Sequence, residues 1–153
     1  MTAVKPAALF ETHLNVRDLD QSITFYREIV GLELAHVVEG RAAAFLWIGG
    51  RGRAMLGLWA GSSSPNTLRL HLAFTLTLEE VMVSPARLRA AGVQPLSFYQ
   101  EPTEEPTVIG WMPAASVYFR DPDGHSLEVL AMLDEAPRPD LGNIPFSAWR
   151  RAT

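Results

Sequence analysis

The order of predicted elements repeats once along this chain, and that repeat limits the possible folds more than any other feature. A strand, a helix and three strands are predicted over residues 9–60, and the same order is predicted over residues 69–133. Alternating apolar and polar residues indicate the strands, and apolar residues at helical spacing indicate the helices. Residues 61–68 (GSSSPNTL) have the composition of a flexible linker. The sequence therefore predicts an α+β protein built from two βαβββ modules.

Turn and cap residues set the predicted bounds of each element. The first helix is expected to begin after Asp18 or Asp20 and to end at Gly31, and Ser84-Pro85 is expected to restart the second helix. The connection over residues 100–115 is long, acidic and rich in proline, which is typical of lids and binding loops. The tail, residues 134–153, is expected to pack across a sheet edge or a partner subunit. The remaining predicted elements are strands 9–16, 32–38, 43–48, 53–59, 69–76, 93–99, 116–120 and 126–132, and helix 79–91.

Composition excludes several classes of function. The chain has 153 residues, enough for one domain of two modules but too few for two ordinary domains. Its net charge is −4 and it has no long run of Lys or Arg, which argues against nucleic acid and anionic membranes as partners. No signal peptide or membrane-length apolar run is present, so we expect a cytoplasmic protein. The chain has no cysteine, so any metal site must use histidine and carboxylate ligands.

Glu128 stands on an apolar predicted strand at a position where the pattern favours a hydrophobic residue. Leu127, Val129 and Leu130 surround it. Burying a carboxylate is costly unless a positive group meets it. That group is either a basic side chain, such as Arg53 or Arg69, or a metal ion.

Two histidines occur at matching places under the repeat. Thr12-His13-Leu14 aligns with Leu70-His71-Leu72, and each histidine lies on the polar face of its strand. Residues 51–58 align with residues 123–130, so Leu56 is the predicted counterpart of Glu128. A single strand histidine is more often an ordinary polar residue than a ligand, but two at matching positions favour a metal site. Two imidazoles and one carboxylate suit Fe(II), Mn(II), Zn(II) or Ni(II).

Two segments resemble the vicinal oxygen chelate superfamily, which includes glyoxalase I, extradiol dioxygenases, fosfomycin-resistance thiol transferases and bleomycin-binding proteins. The first runs from His13 to Asp20 and is followed by Phe25-Tyr26 and Gly31-Leu32; the second runs from Tyr118 to Glu128. The resemblance implies a curved mixed sheet around a central cup, commonly in a homodimer. It also implies a divalent metal ion held by His13, His71 and Glu128, acting as a Lewis acid on two adjacent substrate oxygens.

The chain departs from individual members of this superfamily. Glyoxalase I has a fourth protein ligand at the position assigned here to Leu56, which argues against lactoylglutathione lyase activity. Residues 94–117 contain no Lys or Arg but three glutamates, which argues against a strongly anionic substrate. Bleomycin-binding members lack the three ligands, which argues against simple sequestration.

Further residues are assigned roles in the expected site. Tyr118 is predicted to donate a proton to a substrate oxygen, and Glu128 to act as a base as well as a ligand. The remaining side chains are expected to contact the substrate; they are Asn15, Trp47, Leu56, Trp111 and Ser116. We therefore predict a metal-dependent lyase, isomerase or dioxygenase for a small, fairly apolar substrate with vicinal oxygens. The alternative is a protein that binds such a molecule without turning it over.

Overall fold

Each half of the chain folds around its own mixed sheet. The computed structural model describes residues 7–38, 40–61 and 68–152, and the chain divides into two units between Leu68 and Arg69. Most of the predicted linker, residues 62–67, lies outside the described residues. Within the described parts, none of the helices has both the length and the apolar character needed to cross a membrane.

The first unit contains four strands and one helix. They are β1 (Glu11–Val16), α1 (Leu19–Glu28), β2 (Glu33–Val38), β3 (Ala43–Ile48) and β4 (Ala54–Ala60). The sheet order is β1-β4-β3-β2, with β1 parallel to β4 and the other pairs antiparallel. Asp18 caps α1 by accepting a hydrogen bond from the Gln21 N–H at 3.0 Å.

The second unit contains the same order of elements and a C-terminal addition. It consists of β5 (His71–Thr75), α2 (Leu78–Ala90), β6 (Thr107–Ile109), β7 (Ala114–Arg120), β8 (Ser126–Met132), a short 3-10 helix (Pro139–Leu141), β9 (Asn143–Pro145) and α3 (Phe146–Ala152). The sheet order is β5-β8-β7-β6-β9, and only β5 and β8 are parallel. Both units are therefore βαβββ modules, which confirms the predicted α+β class.

Two predicted elements of the second unit are wrong. Residues 93–99 form no strand, because after Pro95 only Leu96 pairs with the sheet, through a single bridge to Tyr118. The second strand of the module is instead β6, which lies inside the predicted connection of residues 100–115. Helix α2 also does not restart at Ser84-Pro85: it begins at a Thr77 cap with a capping box to Glu80 and runs through Pro85.

In each unit one face of the sheet carries the apolar core and packs against the helix. In the first unit this face includes Leu14, Leu56 and Leu58, all fully buried. In the second unit it includes Leu127 and Val129. Because side chains alternate along a strand, the residues between these leucines lie on the opposite face, here called the open face. The open faces carry the candidate site residues.

The C-terminal tail pairs with the outer edge of the second sheet. Strand β9 forms an antiparallel ladder with β6, and Trp149 of α3 is fully buried. At Gly110 the chain segments touch through their backbones: a Cβ added there would lie 2.4 Å from the Gly142 carbonyl oxygen and 2.5 Å from that of Arg138. The expected packing of the tail across a sheet edge is confirmed.

Candidate metal centre

His71 and Glu128 meet on the open face of the second sheet. His71 pairs in the ladder with Ser126, so Glu128 lies one diagonal step away on the neighbouring strand. The Nε2–H of His71 donates to Glu128 Oε2 at 3.1 Å. The Glu128 side chain is only 6% exposed, whereas that of His71 is 50% exposed. This positions a buried carboxylate beside an imidazole that reaches solvent.

The second carboxylate oxygen of Glu128 has no partner. Oε1 is buried and makes no hydrogen bond, and neither does the buried hydroxyl of Ser116 on the adjacent strand β7. Buried polar atoms in native proteins almost always have partners, so an unsatisfied carboxylate oxygen is unusual. Arg53 and Arg69 form none of the hydrogen bonds or ion pairs found for Glu128 among the described residues. Among the described residues, the protein groups that meet Glu128 are therefore the imidazole of His71 and the phenol of Tyr118.

Tyr118 lies directly opposite Glu128 in the β7–β8 ladder. Burial raises the pKa of its phenol, and the negative charge of Glu128 raises it further. The phenol is therefore protonated at neutral pH and can donate a hydrogen bond. Its ring stacks on His71 with centroids 6.1 Å apart, and Phe98 packs edge-on against its other side, also at 6.1 Å. These three rings form the aromatic wall of the second unit, and Phe98 at its end is 40% exposed.

A tight turn holds both strands of this pair in place. Asp121 Oδ1 accepts hydrogen bonds from the backbone N–H groups of Asp123 at 3.0 Å and His125 at 2.8 Å. The Nδ1 atom of His125 accepts a hydrogen bond from the Leu70 N–H at 3.0 Å, directly before His71. His125 is 2% exposed. Although it lies in a turn, His125 is therefore buried, and it fastens β5 to the turn before β8.

His13 on the open face of the first sheet is paired with Glu11. The His13 Nε2–H donates to Glu11 Oε1 at 2.6 Å. The imidazole also packs against Phe45 and Trp59, with ring centroids at 5.9 Å and 5.6 Å. It lies across Gly57, where an added Cβ would be 2.5 Å from His13 Cδ2. Glu11 and His13 are two residues apart on β1, so both side chains project from this face.

The two ladders correct the predicted alignment of the halves. In the first unit the Met55 N–H donates to the Phe10 carbonyl at 2.7 Å; in the second, the Ser126 N–H donates to the Leu70 carbonyl at 2.8 Å. The residues that follow Phe10 and Leu70 are Glu11 and His71. Glu11 is therefore the counterpart of His71, which makes the predicted match of His13 with His71 wrong by two residues.

The counterpart of Glu128 changes as well. Gly57 lies one diagonal step from Glu11, as Glu128 does from His71. Leu56 is not that counterpart, because it lies on the opposite, helix-covered face and is fully buried. The register of β1 with β4 and of β5 with β8 could not be deduced from sequence, because it is set by pairing between strands that are distant in the chain.

The other predicted substrate contacts lie in different settings. Asn15 is exposed on the open face beside His13, and Trp47 is half-buried on the same face. Leu56 is on the helix-covered face. Trp111 is 66% exposed in the turn between β6 and β7. Their roles toward a substrate stay predictions.

The glutamates of the connection before β6 have structural partners. Glu105 accepts hydrogen bonds from the Ser147 N–H at 2.8 Å and hydroxyl at 2.9 Å, at the start of α3. Glu104 forms an ion pair with Arg89, and Arg120 donates to Gln100. Although this connection contains no basic residue, basic side chains of α2 and β7 contact it.

Among the described residues, the side chains that could bind a metal ion lie in two pairs, Glu11 with His13 and His71 with Glu128. Within residues 7–38, 40–61 and 68–152, no three His, Asp or Glu side chains form a single metal-binding group. The residues nevertheless suit a divalent ion: an unsatisfied buried carboxylate oxygen beside an imidazole nitrogen is a fitting start of a donor set. That His13 joins His71 and Glu128 on one ion stays a prediction.

Comparison with known proteins identifies the family of this chain. Residues 8–129 match the model of the Glyoxalase/Bleomycin resistance protein/Dioxygenase superfamily. The chain belongs to this superfamily. The predicted resemblance is therefore confirmed, and the match spans both βαβββ modules.

Three relatives of this superfamily member are informative. The glutathione transferase FosA of Serratia marcescens is 31% identical over 76% of this chain and 74% of its own length. The metallothiol transferase FosB of Shouchella clausii (strain KSM-K16) is 30% identical over 75% of this chain and 73% of its own length. The crystal structure of lactoylglutathione lyase from Agrobacterium tumefaciens is 29% identical, with a TM-score of 0.61, over 82% of this chain and 93% of that one.

Proposed function

We propose that this superfamily member is a metal-dependent enzyme acting on a small, fairly apolar substrate with two neighbouring oxygen atoms. His71 and Glu128 bind the metal ion together with a donor from β1. The sequence predicts that this donor is His13. The reaction is of the lyase, isomerase or dioxygenase type. Because the relatives FosA and FosB are a glutathione transferase and a metallothiol transferase, transfer of a thiol is added to the reactions to be tested.

The observation that carries this proposal is the buried, unsatisfied Oε1 of Glu128. Leaving such an oxygen without a partner costs free energy of order 1–3 kcal/mol or more, which a bound cation would remove. The neighbouring His71 is half exposed, so an ion and its ligand can reach the pair from solvent.

The side chains around the pair have distinct roles. A divalent ion bound there supplies Lewis acidity toward the substrate oxygens. Tyr118 carries a protonated phenol beside Glu128 and donates a hydrogen bond to a substrate oxygen. The unpartnered hydroxyl of Ser116 offers a second polar contact on the same strand. Glu128 accepts the proton that the reaction removes from the substrate carbon.

The aromatic wall of His71, Tyr118 and Phe98 indicates the substrate class. Rings that stack or meet edge-on favour a flat, apolar or aromatic group near the metal. Catechols, aromatic epoxides and thiol adducts of aryl diketones combine such a group with neighbouring oxygens. These are the substrates to test first.

Metal content of the purified protein tests the proposal. The protein is loaded with Mn(II), Fe(II), Zn(II) or Ni(II) in turn, freed of excess ion and analysed by atomic emission. We expect stoichiometric metal in the wild type and loss of it in His71→Ala and Glu128→Gln. His36→Ala removes an exposed histidine of β2 and serves as the matched control. A wild type that retains no metal under these conditions would contradict the proposal.

A second candidate function is binding without turnover. The half-exposed Phe98 and the neighbouring Tyr99, 62% exposed, give an aromatic surface that needs no metal to hold an apolar molecule. Turnover of any test substrate that is abolished by Glu128→Gln excludes this function. Binding that persists unchanged in metal-free protein, with no turnover, supports it. A homodimer and a cytoplasmic location stay predictions.

A further inference from the structure

We propose that Arg69 is a specificity-determining residue that binds a carboxylate group of the substrate beside the His71–Glu128 pair. This inference rests on the proposed function, because it concerns the same site. It adds one negative group to the substrate class, next to the flat apolar group and the two neighbouring oxygen atoms. Arg69 belongs to the second unit, as does every residue that supports this role.

The backbone just before β5 directs the Arg69 side chain to the open face. The Leu70 N–H donates to His125 Nδ1 at 3.0 Å, and the Leu70 carbonyl accepts from the Ser126 N–H at 2.8 Å. Both backbone groups of Leu70 therefore point toward β8, as in a strand residue. Because side chains alternate along an extended chain, Arg69 projects from the same face as His71, at a Cα separation of about 7 Å.

The guanidinium group of Arg69 lies over the turn that leads into β8. A Cβ added at Gly124 would be 3.2 Å from Arg69 Nε and 3.6 Å from Arg69 Cζ. Ser126, two residues after this glycine, is the ladder partner of His71. The positive charge is therefore held at the end of β5 and β8 where His71 stands.

The hydrogen-bond donors of Arg69 can reach a ligand from solvent. Arg69 is exposed, and none of the ion pairs found among the described residues involves it. In the turn beside it, Asp121 is buried and its Oδ1 accepts two backbone hydrogen bonds. A guanidinium group binds a carboxylate through a pair of parallel N–H···O hydrogen bonds, which gives the contact direction as well as strength.

The position of Arg69 changes an interpretation drawn from sequence alone. Residues 94–117 contain no Lys or Arg, which argued against a strongly anionic substrate. In the structure, the cation nearest the pair comes instead from the chain before β5. The sequence made Arg69 one possible partner of Glu128, but the ion pair found for Glu128 among the described residues is with His71. A single guanidinium group balances one negative charge, which favours a carboxylate over a doubly charged group.

The aromatic wall and Arg69 extend from His71 in different directions. The wall runs across the sheet to Tyr118 on β7, whereas Arg69 lies before His71 along β5. A substrate whose neighbouring oxygens meet the pair can therefore place a ring against the wall and a carboxylate against Arg69. An aromatic acid with two neighbouring hydroxyl groups, such as 3,4-dihydroxybenzoate, carries all three features.

Calorimetric titration with 3,4-dihydroxybenzoate and with its methyl ester tests the inference. The two compounds share the ring and both hydroxyl groups, and only the acid carries a carboxylate. We expect the Mn(II)-loaded wild type to bind the acid about tenfold or more tightly than the ester, because charge-assisted hydrogen bonds are the strong ones. In Arg69→Gln the ratio of the two affinities should fall to about one, with the affinity for the ester unchanged.

Two further variants separate a binding role from a general effect of charge. Arg69→Lys keeps the charge but loses the planar fork, so it should retain only part of the preference for the acid. Arg87→Gln removes an exposed arginine from α2, which packs on the other face of the same sheet, and should keep the wild-type ratio. Added salt should weaken binding of the acid in the wild type more than in Arg69→Gln. Circular dichroism confirms that each variant is folded.

The possible failures can be told apart. If the wild type holds Mn(II) but does not prefer the acid, or if Arg69→Gln prefers it equally, this inference is overturned and the proposed function stands. If the wild type retains no metal, the proposed function fails, and the same affinity ratio in the metal-free wild type and Arg69→Gln decides whether Arg69 binds carboxylates. A preference for the acid that is lost in Arg69→Gln and kept in Arg87→Gln supports the inference.

Discussion

The imidazole of His13 lies in the space that a side chain at Gly57 would fill. A Cβ at position 57 would be 2.5 Å from Cδ2 of that ring and 3.2 Å from the Phe45 ring. Non-bonded carbon atoms do not approach so closely. The His13 ring can therefore occupy this position only because residue 57 is a glycine. The backbone of Gly57 is not left-handed, so alanine there meets a steric obstacle rather than a conformational one.

Gly57→Ala should therefore displace His13 and destabilise the first unit. Overpacking of this kind typically costs about 1–3 kcal/mol in the free energy of unfolding, measured by urea denaturation. In a His13→Ala background the same substitution should cost much less, because the ring that obstructs the new methyl group is gone. Equal costs in the two backgrounds would show that the contact is not the cause.

His125→Ala should destabilise the second unit and weaken metal binding. It removes a buried ring and leaves the Leu70 N–H without its acceptor. A lost partner of a buried donor costs about 1–3 kcal/mol, in addition to the cavity. Urea denaturation measures the first effect and calorimetric titration the second. His36→Ala, at an exposed position, should stay within about 0.5 kcal/mol of the wild type.

Glu105→Ala should loosen the C-terminal helix while leaving the sheet intact. The carboxylate accepts two hydrogen bonds from Ser147, the second residue of α3. We expect faster amide hydrogen exchange in residues 146–152 and a loss of about 1 kcal/mol in local stability. Glu101→Ala, in the same connection, is the control. Unchanged exchange in α3 would show that Trp149 alone fastens the helix.

The capping box of α2 should make stability depend on pH. Hydrogen bonds from Thr77, the backbone N–H first and then the hydroxyl, lower the pKa of Glu80 below its ordinary value of 4.5. The ionised carboxylate therefore stabilises the fold above that value, and this contribution is lost as the pH falls through the lower folded-state pKa.

Urea denaturation of the wild type and of Glu80→Gln, from neutral pH down to acid, tests this pH dependence of stability. The wild type should be more stable than the variant at neutral pH, and the difference should shrink in acid. Glu79→Gln removes a carboxylate from the same first turn but leaves the capping box intact. It should not reproduce that pH dependence.

Local signals made the first unit largely predictable. Alternation in β1, the Asp18 cap and the glycines between strands set the bounds of all five elements to within a few residues. The same signals failed at residues 93–99. This segment contains apolar residues and Pro95, and in the structure it forms no strand. Strand β6 was not predicted. It has only three residues, all buried, within a proline-rich connection, and three residues are too few to show the pattern of a strand.

The sequence predicted on which face of its strand each candidate histidine lies, but not which residues stand beside it on the neighbouring strand. Alternation placed His13 on the polar face of β1 and His71 on the polar face of β5. Which residue of one strand stands beside which residue of the next depends on register, and register depends on long-range pairing. That is why the match of His13 with His71 was wrong by two positions; the structure places His71 beside Glu128, and their joint binding of a metal ion stays a prediction.

The close backbone contacts at Gly110 join the C-terminal tail to the sheet of the second unit. The family match ends at residue 129, yet β6 is completed by β9 and sealed by Trp149. A shortened chain that stops after β8 would expose the hydrogen-bonding edge of β6, the kind of surface through which sheets of separate molecules join. In the folded chain, strand β9 of the C-terminal tail covers this edge of the second sheet.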